Sequence, residues 1–158
     1  MFKHILATAT ALLFFGGTVS TAKAPPPKPI KVVQAVEYQL REAIPKPPIP
    51  AEARQPEWWA LAREVGWAED QMLTLDYVIW RESRGQIGAF NKSDPNGGSV
   101  CLLQINKFWV KYLRQHNVIK QAKDLYDPRT CLTAGLTIYR YGIERHGWGW
   151  GPWAIKQP

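Results

Sequence analysis

Apolar and polar positions alternate with a helical period over most of the second two thirds of the chain. Pro56 and Glu57 open a segment that runs to Val65 and is ended by Gly66, the pattern of a short helix. A second helix is predicted from about Ala68 to Ser83, with Glu69 and Asp70 in its first turn and Gly85 and Gly88 marking its end. Within it Met72, Leu75, Ile79 and Glu82 follow one another by steps of three and four, so they share one face. The stretch Asn91 to Ser99, N-K-S-D-P-N-G-G-S, breaks the period with Asp-Pro and Asn-Gly pairs and predicts a hairpin or irregular loop. Apolar spacing resumes in V-C-L-L-Q-I-N. Further helices are predicted from about Lys107 to Arg114 and from Pro128 to Tyr141, the latter capped by Asp127 with proline at its first position.

The first third has a different character. Lys3 and His4, an apolar run from Ile5 to Phe15 and small residues up to Ala24 read as a secretory signal over 1–24. The run is short for a membrane-spanning helix. Cleavage after Ala22 and retention as a signal anchor both fit the residues, since Pro25 hinders cutting after Ala24. Nine of the 13 prolines lie between Pro25 and Pro56, which makes 25–56 an extended spacer. Inside it Val33, Val36, Leu40 and Ile44 are spaced for one short amphipathic helix. What remains, 57–158, is long enough for a single core, and it holds all eight tryptophans.

Charge changes this picture little. Of the 20 Lys/Arg and 13 Asp/Glu behind the net charge of +7, seven and three precede residue 57. The excess therefore belongs mostly to leader and spacer, and no basic helix face marks the domain as a nucleic-acid binder. The modest remainder suits an anionic envelope polymer or plain solubility. No phosphate loop, Ser-His-Asp pattern or metal-spaced His/Cys cluster occurs, so neither a metal nor a cofactor is implied. The two cysteines, Cys101 and Cys131, are expected to pair as a disulfide in an exported chain, a metal site wanting more ligands.

Candidate chemistry centres on W-R-E-S-R-G, Trp80 to Gly85. Glu82 continues a core-facing ridge past its last apolar residue, where desolvation favours the neutral acid that proton donation requires. An ion pair with Arg81 or Arg84 that ties down the helix end is the alternative, and spacing alone leaves both open.

The order E-S-R-G, then A-F-N-K-S-D-P-N-G-G-S, C-L-L-Q-I-N, Y-D-P-R-T-C-L-T-A-G-L-T-I-Y-R-Y-G and G-W-G-W-G-P-W resembles the lytic transglycosylase family that includes goose-type lysozymes. It is also similar to the glutamate, loop and Q-I-N layout of c-type lysozymes. The resemblance spans about residues 57 to 154. It implies a mainly α (α+β) lysozyme-like fold with a small loop or hairpin lobe. It also implies an exported, periplasmic, cell-envelope or extracellular enzyme that cleaves the β-1,4 bond between N-acetylmuramic acid and N-acetylglucosamine in peptidoglycan glycan strands.

By position Glu82 matches the family's catalytic acid, Ser83 the serine after it, and Gln104 and Asn106 the motif that borders the cleft. Two departures stand out. Cys101 occupies a place where the family usually has glycine, so the backbone there is expected to suit a residue with a Cβ. The family tyrosine that reaches toward the acid aligns with Ile138, with Tyr139 one residue late as its candidate substitute.

The second carboxylate of c-type enzymes lies five residues before the glutamine, where this chain has Ser99. Asp94 is the nearest substitute, and in an S-D-P-N-G-G turn it also reads as a turn former. With a single acid, the route that the resemblance implies is lytic: Glu82 protonates the glycosidic oxygen, then accepts a proton from the sugar's 6-hydroxyl, leaving a 1,6-anhydro end. Hydrolysis by a positioned water and a non-catalytic peptidoglycan-binding module are the competitors. Among the aromatics, Phe90 and Trp148 are the candidates to face sugars, with Trp109, Trp150 and Trp153 as further possibilities. Trp58, Trp59, Trp67, Trp80 and Trp153 are expected in the core. The chain is expected to act as a monomer, with a cell-envelope or secretion assembly as a candidate partner.

Overall fold

The structure is a computed structural model and describes residues 47–157. The signal reading of 1–24, most of the spacer and the amphipathic segment around Val33 to Ile44 lie outside the described residues. Among the described residues no helix is long and apolar enough to cross a membrane.

Four helices follow the predicted positions. Helix α1, Trp59–Val65, is entered through a 3-10 turn at Pro56–Trp58 and ends at Gly66, whose φ of 98° lets its N–H reach back to the last turn. Helix α2, Met72–Ser83, begins four residues later than the apolar spacing suggests, because Glu69–Gln71 forms a tighter 3-10 turn. Helix α3 is Val110–Gln115, preceded by a 3-10 turn at Lys107–Trp109. Helix α4, Pro128–His146, starts as expected: Asp127 accepts a hydrogen bond from the Thr130 N–H at 2.8 Å, with Pro128 at the first position. It runs five residues beyond the predicted end at Tyr141. Gly142 does not stop it, since its bare Cα is needed for space: a Cβ there would lie 2.8 Å from the Trp148 carbonyl oxygen.

Three strands of two residues each form the small lobe: β1 Phe90–Asn91, β2 Ser99–Val100 and β3 Ile105–Asn106. They pair antiparallel in the order β1-β2-β3, with Asn91 opposite Ser99 and Ser99 opposite Asn106. The described chain is thus α+β, mostly helical with one small antiparallel sheet.

The core gathers α1, α2 and α4. Met72, Leu75, Val78 and Ile79 of α2 and Leu132, Leu136 and Ile138 of α4 belong to one buried cluster, with α1 packed on both helices and Leu102, Leu103, Trp59, Trp67 and Trp150 filling the remainder. Each large side chain so buried contributes about 1.5–3 kcal/mol. Trp150, a possible subsite residue by sequence, is instead a core residue, stacked on Trp67 with ring centroids 5.3 Å apart. Trp80, expected in the core, sits half-buried at the surface with the guanidinium groups of Arg54 and Arg84 over its ring at 4.3 and 3.9 Å.

Packing begins before residue 57. Asp76, buried on α2, accepts hydrogen bonds from the backbone N–H groups of Arg54 and Gln55 and from Trp59 Nε1, so the end of the Pro-rich stretch is tied to the core.

Cys101 and Cys131 form the expected disulfide, with Cα atoms 6.3 Å apart. It joins the loop before β3 to the first turns of α4. The backbone at Cys101 differs from the expectation: φ is +68°, left-handed in spite of the Cβ. That conformation costs about 1–2 kcal/mol for a non-glycine residue, and a disulfide contribution of about 2–4 kcal/mol offsets it. Gly135 completes this junction, because a Cβ there would lie 2.2 Å from Leu103 Cδ1.

Candidate active site

Helix α2 delivers Glu82 to the wall of a cleft of about 670 Å3 between helical body and sheet lobe. Met72, Leu75 and Ile79 anchor the ridge in the core, and the carboxylate one turn further on keeps 24% of its surface in solvent. It is ion-paired. Arg81 donates to Glu82 Oε1 through Nη2 at 2.5 Å and Nε at 3.0 Å, and Nη2 also donates to the carbonyl of Trp153. The ion pair weighed from sequence therefore exists with Arg81, while Arg84 turns away over Trp80 and donates to the Trp80 carbonyl. No described residue donates to Glu82 Oε2, which leaves that oxygen free toward the cleft.

Ser83 is buried beside it, its hydroxyl spent on the Ile79 carbonyl at 3.0 Å. Across the cleft the sheet presents Asn91, Ser99 and Asn106 from one face. Ser99 Oγ donates to Gln104 Oε1 at 3.1 Å, and Gln104 Nε2 donates to the Cys101 carbonyl at 3.2 Å. Gln104 itself has a φ of +46°, so these two side-chain bonds hold a tight left-handed turn. Asn106 Oδ1 is buried and accepts from no described group. An unpaired buried acceptor costs about 1–3 kcal/mol, which favours any ligand that brings it an N–H or O–H.

The second carboxylate in the cleft is Asp94. Its Oδ1 accepts from the Asn96 N–H at 2.8 Å, and its carbonyl accepts from Gly97 and Gly98 N–H groups. It is thus the turn former that its sequence context suggests, although it also lines the cleft.

Aromatic placement separates the candidates. Phe90, 59% exposed, and Trp109 line the cleft, as does Trp153, whose Nε1 is fixed on the Leu103 carbonyl at 2.8 Å. Tyr139 does not: successive residues on α4 are turned by about 100°, so Ile138 lines the cleft while Tyr139 packs on Trp67 and Trp150. Burial, with Asp70 nearby as a smaller cause, pushes the Tyr139 hydroxyl above the usual phenol range. Trp148 is also outside, half-buried with its Nε1 donating to the Ile155 carbonyl at 2.7 Å. The cleft wall also includes residues that the sequence does not mark as liners. Arg81 is read from sequence only as an ion-pair partner, and the 3-10 turn Gly151–Trp153 contributes Pro152 to the wall beside Trp153, an aromatic the sequence already offered. Adjacency to Glu82 and the Gly-Pro step are the sequence signals that could have found them.

Among the described residues no group of His, Cys, Asp and Glu is arranged to hold a metal ion. Comparisons with protein-family models, with curated proteins and with solved structures give no match to this chain.

Proposed function

We propose that the cleft binds peptidoglycan glycan strands and that Glu82 cleaves the β-1,4 bond between N-acetylmuramic acid and N-acetylglucosamine by the lytic route. The observation that carries this reading is the contrast between two carboxylates in one cleft. Each keeps one oxygen without a described donor, but Glu82 is held by Arg81 at the end of the core-anchored ridge, whereas Asp94 holds its own turn through Oδ1, and buried Ser99 stands where a second acid would be needed. One working acid must then both give and take the proton.

In that route Oε2 of Glu82 protonates the glycosidic oxygen as its bond to the anomeric carbon breaks. Arg81, bound to Oε1 and to the Trp153 carbonyl, holds the carboxylate in orientation and stabilises the anion that proton transfer leaves. The 6-hydroxyl of the N-acetylmuramic acid closes on the anomeric carbon and returns its proton to Glu82. No water is consumed. The substrate's N-acetyl group assists the positive transition state, and the exposed faces of Phe90 and Trp109 offer stacking surfaces for sugar rings.

The arrangement of a helical body, a three-stranded lobe and an acid at a helix end supports extending the proposal to a lysozyme-like fold and to the lytic transglycosylase family. The disulfide suits export to the cell envelope.

Digestion of purified peptidoglycan by the full chain and by Glu82→Gln, followed by mass spectrometry, tests the proposal. Anhydro-muropeptides released by the wild type alone are expected. Reducing ends would replace the lytic route by hydrolysis, with Asp94 as the group to examine next. Sedimentation with the wall without any release would make the chain a binding module.

A further inference from the structure

The small sheet has a second side. Its register puts Asn91, Ser99 and Asn106 on the cleft face, so the period of two turns Phe90, Val100 and Ile105 the other way. That apolar face opens on a second cavity of about 270 Å3, whose far wall includes Val110, Leu125 and Tyr126. Sites that enclose a drug-sized molecule span roughly 300–1,000 Å3, so this one has room for a fragment of a larger ligand. Phe90 and Ile105 line both cavities, which are thus separated by the thickness of the sheet.

Two exposed cations, Lys107 and Lys123, also line the pocket, and no carboxylate does. Neither lysine is ion-paired with a described residue. The acid beside Lys123, Asp124, is occupied by the backbone N–H groups of Lys120 and Gln121 at 2.8 and 3.0 Å. An apolar floor with two unpaired cations and no acid suits an apolar chain that carries carboxylates, and it disfavours a cationic one.

The geometry points to this pocket as a subsite for the peptide branch of peptidoglycan, with small apolar side chains against Val100 and Leu125 and a free carboxylate at Lys107 and Lys123. This rests on the reading that the neighbouring cleft takes the glycan, because the branch springs from the sugar held there and would pass over the edge strand at Phe90, which lines both cavities. The pocket makes and breaks no bond. It selects which strands are cut.

Two measurements test it. In the first, an N-acetylated tetrapeptide of alanine and glutamate with a free C-terminal carboxylate is titrated into the full chain and followed by amide NMR. Shifts at Gly97, Gly98, Val100 and Lys123 that vanish in the Lys107→Glu/Lys123→Glu variant are expected. No shift at millimolar peptide, or shifts confined to Asn106 and its cleft neighbours, overturns the assignment. So do anionic lipid vesicles that move the same resonances when the peptide does not.

In the second, KM is compared for glycan strands that carry their peptides and for strands stripped of them. The double variant should raise KM on peptide-bearing strands by roughly fivefold, the size of two partly exposed charge pairs, and leave stripped strands unchanged. An equal effect on both strands overturns the inference. If neither strand is cut, the glycan reading of the cleft fails, and the titration still decides the pocket.

Discussion

The helical body and the sheet lobe face each other across one cleft but are held together by different means. The body owes its order to an apolar core, with Leu132, Ile138, Val78 and Leu102 at most 1% exposed and the indole N–H groups of Trp59, Trp67, Trp150 and Trp153 satisfied, although that of Trp58 is buried without a partner. The lobe has strands of only two residues, a turn held by Asp94, left-handed backbone at Cys101 and Gln104, and the unpaired Asn106 Oδ1. The body can therefore carry a single chemical group at the end of a rigid ridge. The lobe carries strained backbone and unspent polarity, which are the properties of a surface that completes itself on a ligand.

The largest effect should separate chemistry from stability on the body side. Glu82→Gln is expected to lower peptidoglycan cleavage by about 10²–10⁴-fold while the urea midpoint moves little, because the carboxylate is not part of the core. A large loss of stability would mean that its pair with Arg81 is structural. The junction of the two regions comes next. Replacing both cysteines by serine should cost about 2–4 kcal/mol in urea denaturation. Glycine instead of serine at position 101 should recover about 1 kcal/mol of that by relieving the left-handed backbone.

Within the lobe, Gly98→Ala should cost about 1–2 kcal/mol from its φ of +94°. It should also impair cleavage, since the new Cβ would lie 2.9 Å from Phe90 Cε2 and push the ring. The smallest effect lies far from the cleft. Hydrogen bonds from the Thr130 N–H and then its hydroxyl hold the Asp127 carboxyl below the usual carboxylate range. Its folded value thus lies below its unfolded one, so its contribution is complete above about pH 4 and is lost as pH falls through the depressed folded value. Asp127→Ala should cost about 1 kcal/mol at pH 7, and the gap from wild type should shrink in acid.

The two regions also differ in how much of them the sequence reveals. The body was legible because helices announce themselves locally: Gly66, Pro128 and Asp127 act where they stand, and the Met72-Leu75-Ile79-Glu82 ridge points into the core and then into the cleft. Where the reading went astray, a distant partner decided. Gly142 looks like a stop but is a place for the backbone of residues 148 and 149 to approach. Trp80 looks like core but is claimed by two arginines, one of them in the segment read as spacer. In the site, Glu82, Ser83, Gln104, Asn106 and Phe90 do line one cleft. Tyr139 and Trp148 do not, because a one-residue offset on a helix is a turn of about 100° and because an indole N–H takes the nearest carbonyl. Nothing local in the sequence marks the second face of the sheet, whose meaning depends on register alone.

That register has a consequence for how the gene can change. Between Lys92 and Gly98 the chain is a surface turn, and residues added there would displace Asp94 but leave the pairing of Asn91 with Ser99 in register. Between Cys101 and Gln104 the sheet has no such slack: four residues reverse the chain and carry Ser99 to its partner Asn106. A single inserted or deleted codon there would exchange the parity of β3, turning Asn106 away from the cleft and toward the apolar pocket. Lineages of this domain should accordingly vary in the length of the first turn and hold the second to an invariant count.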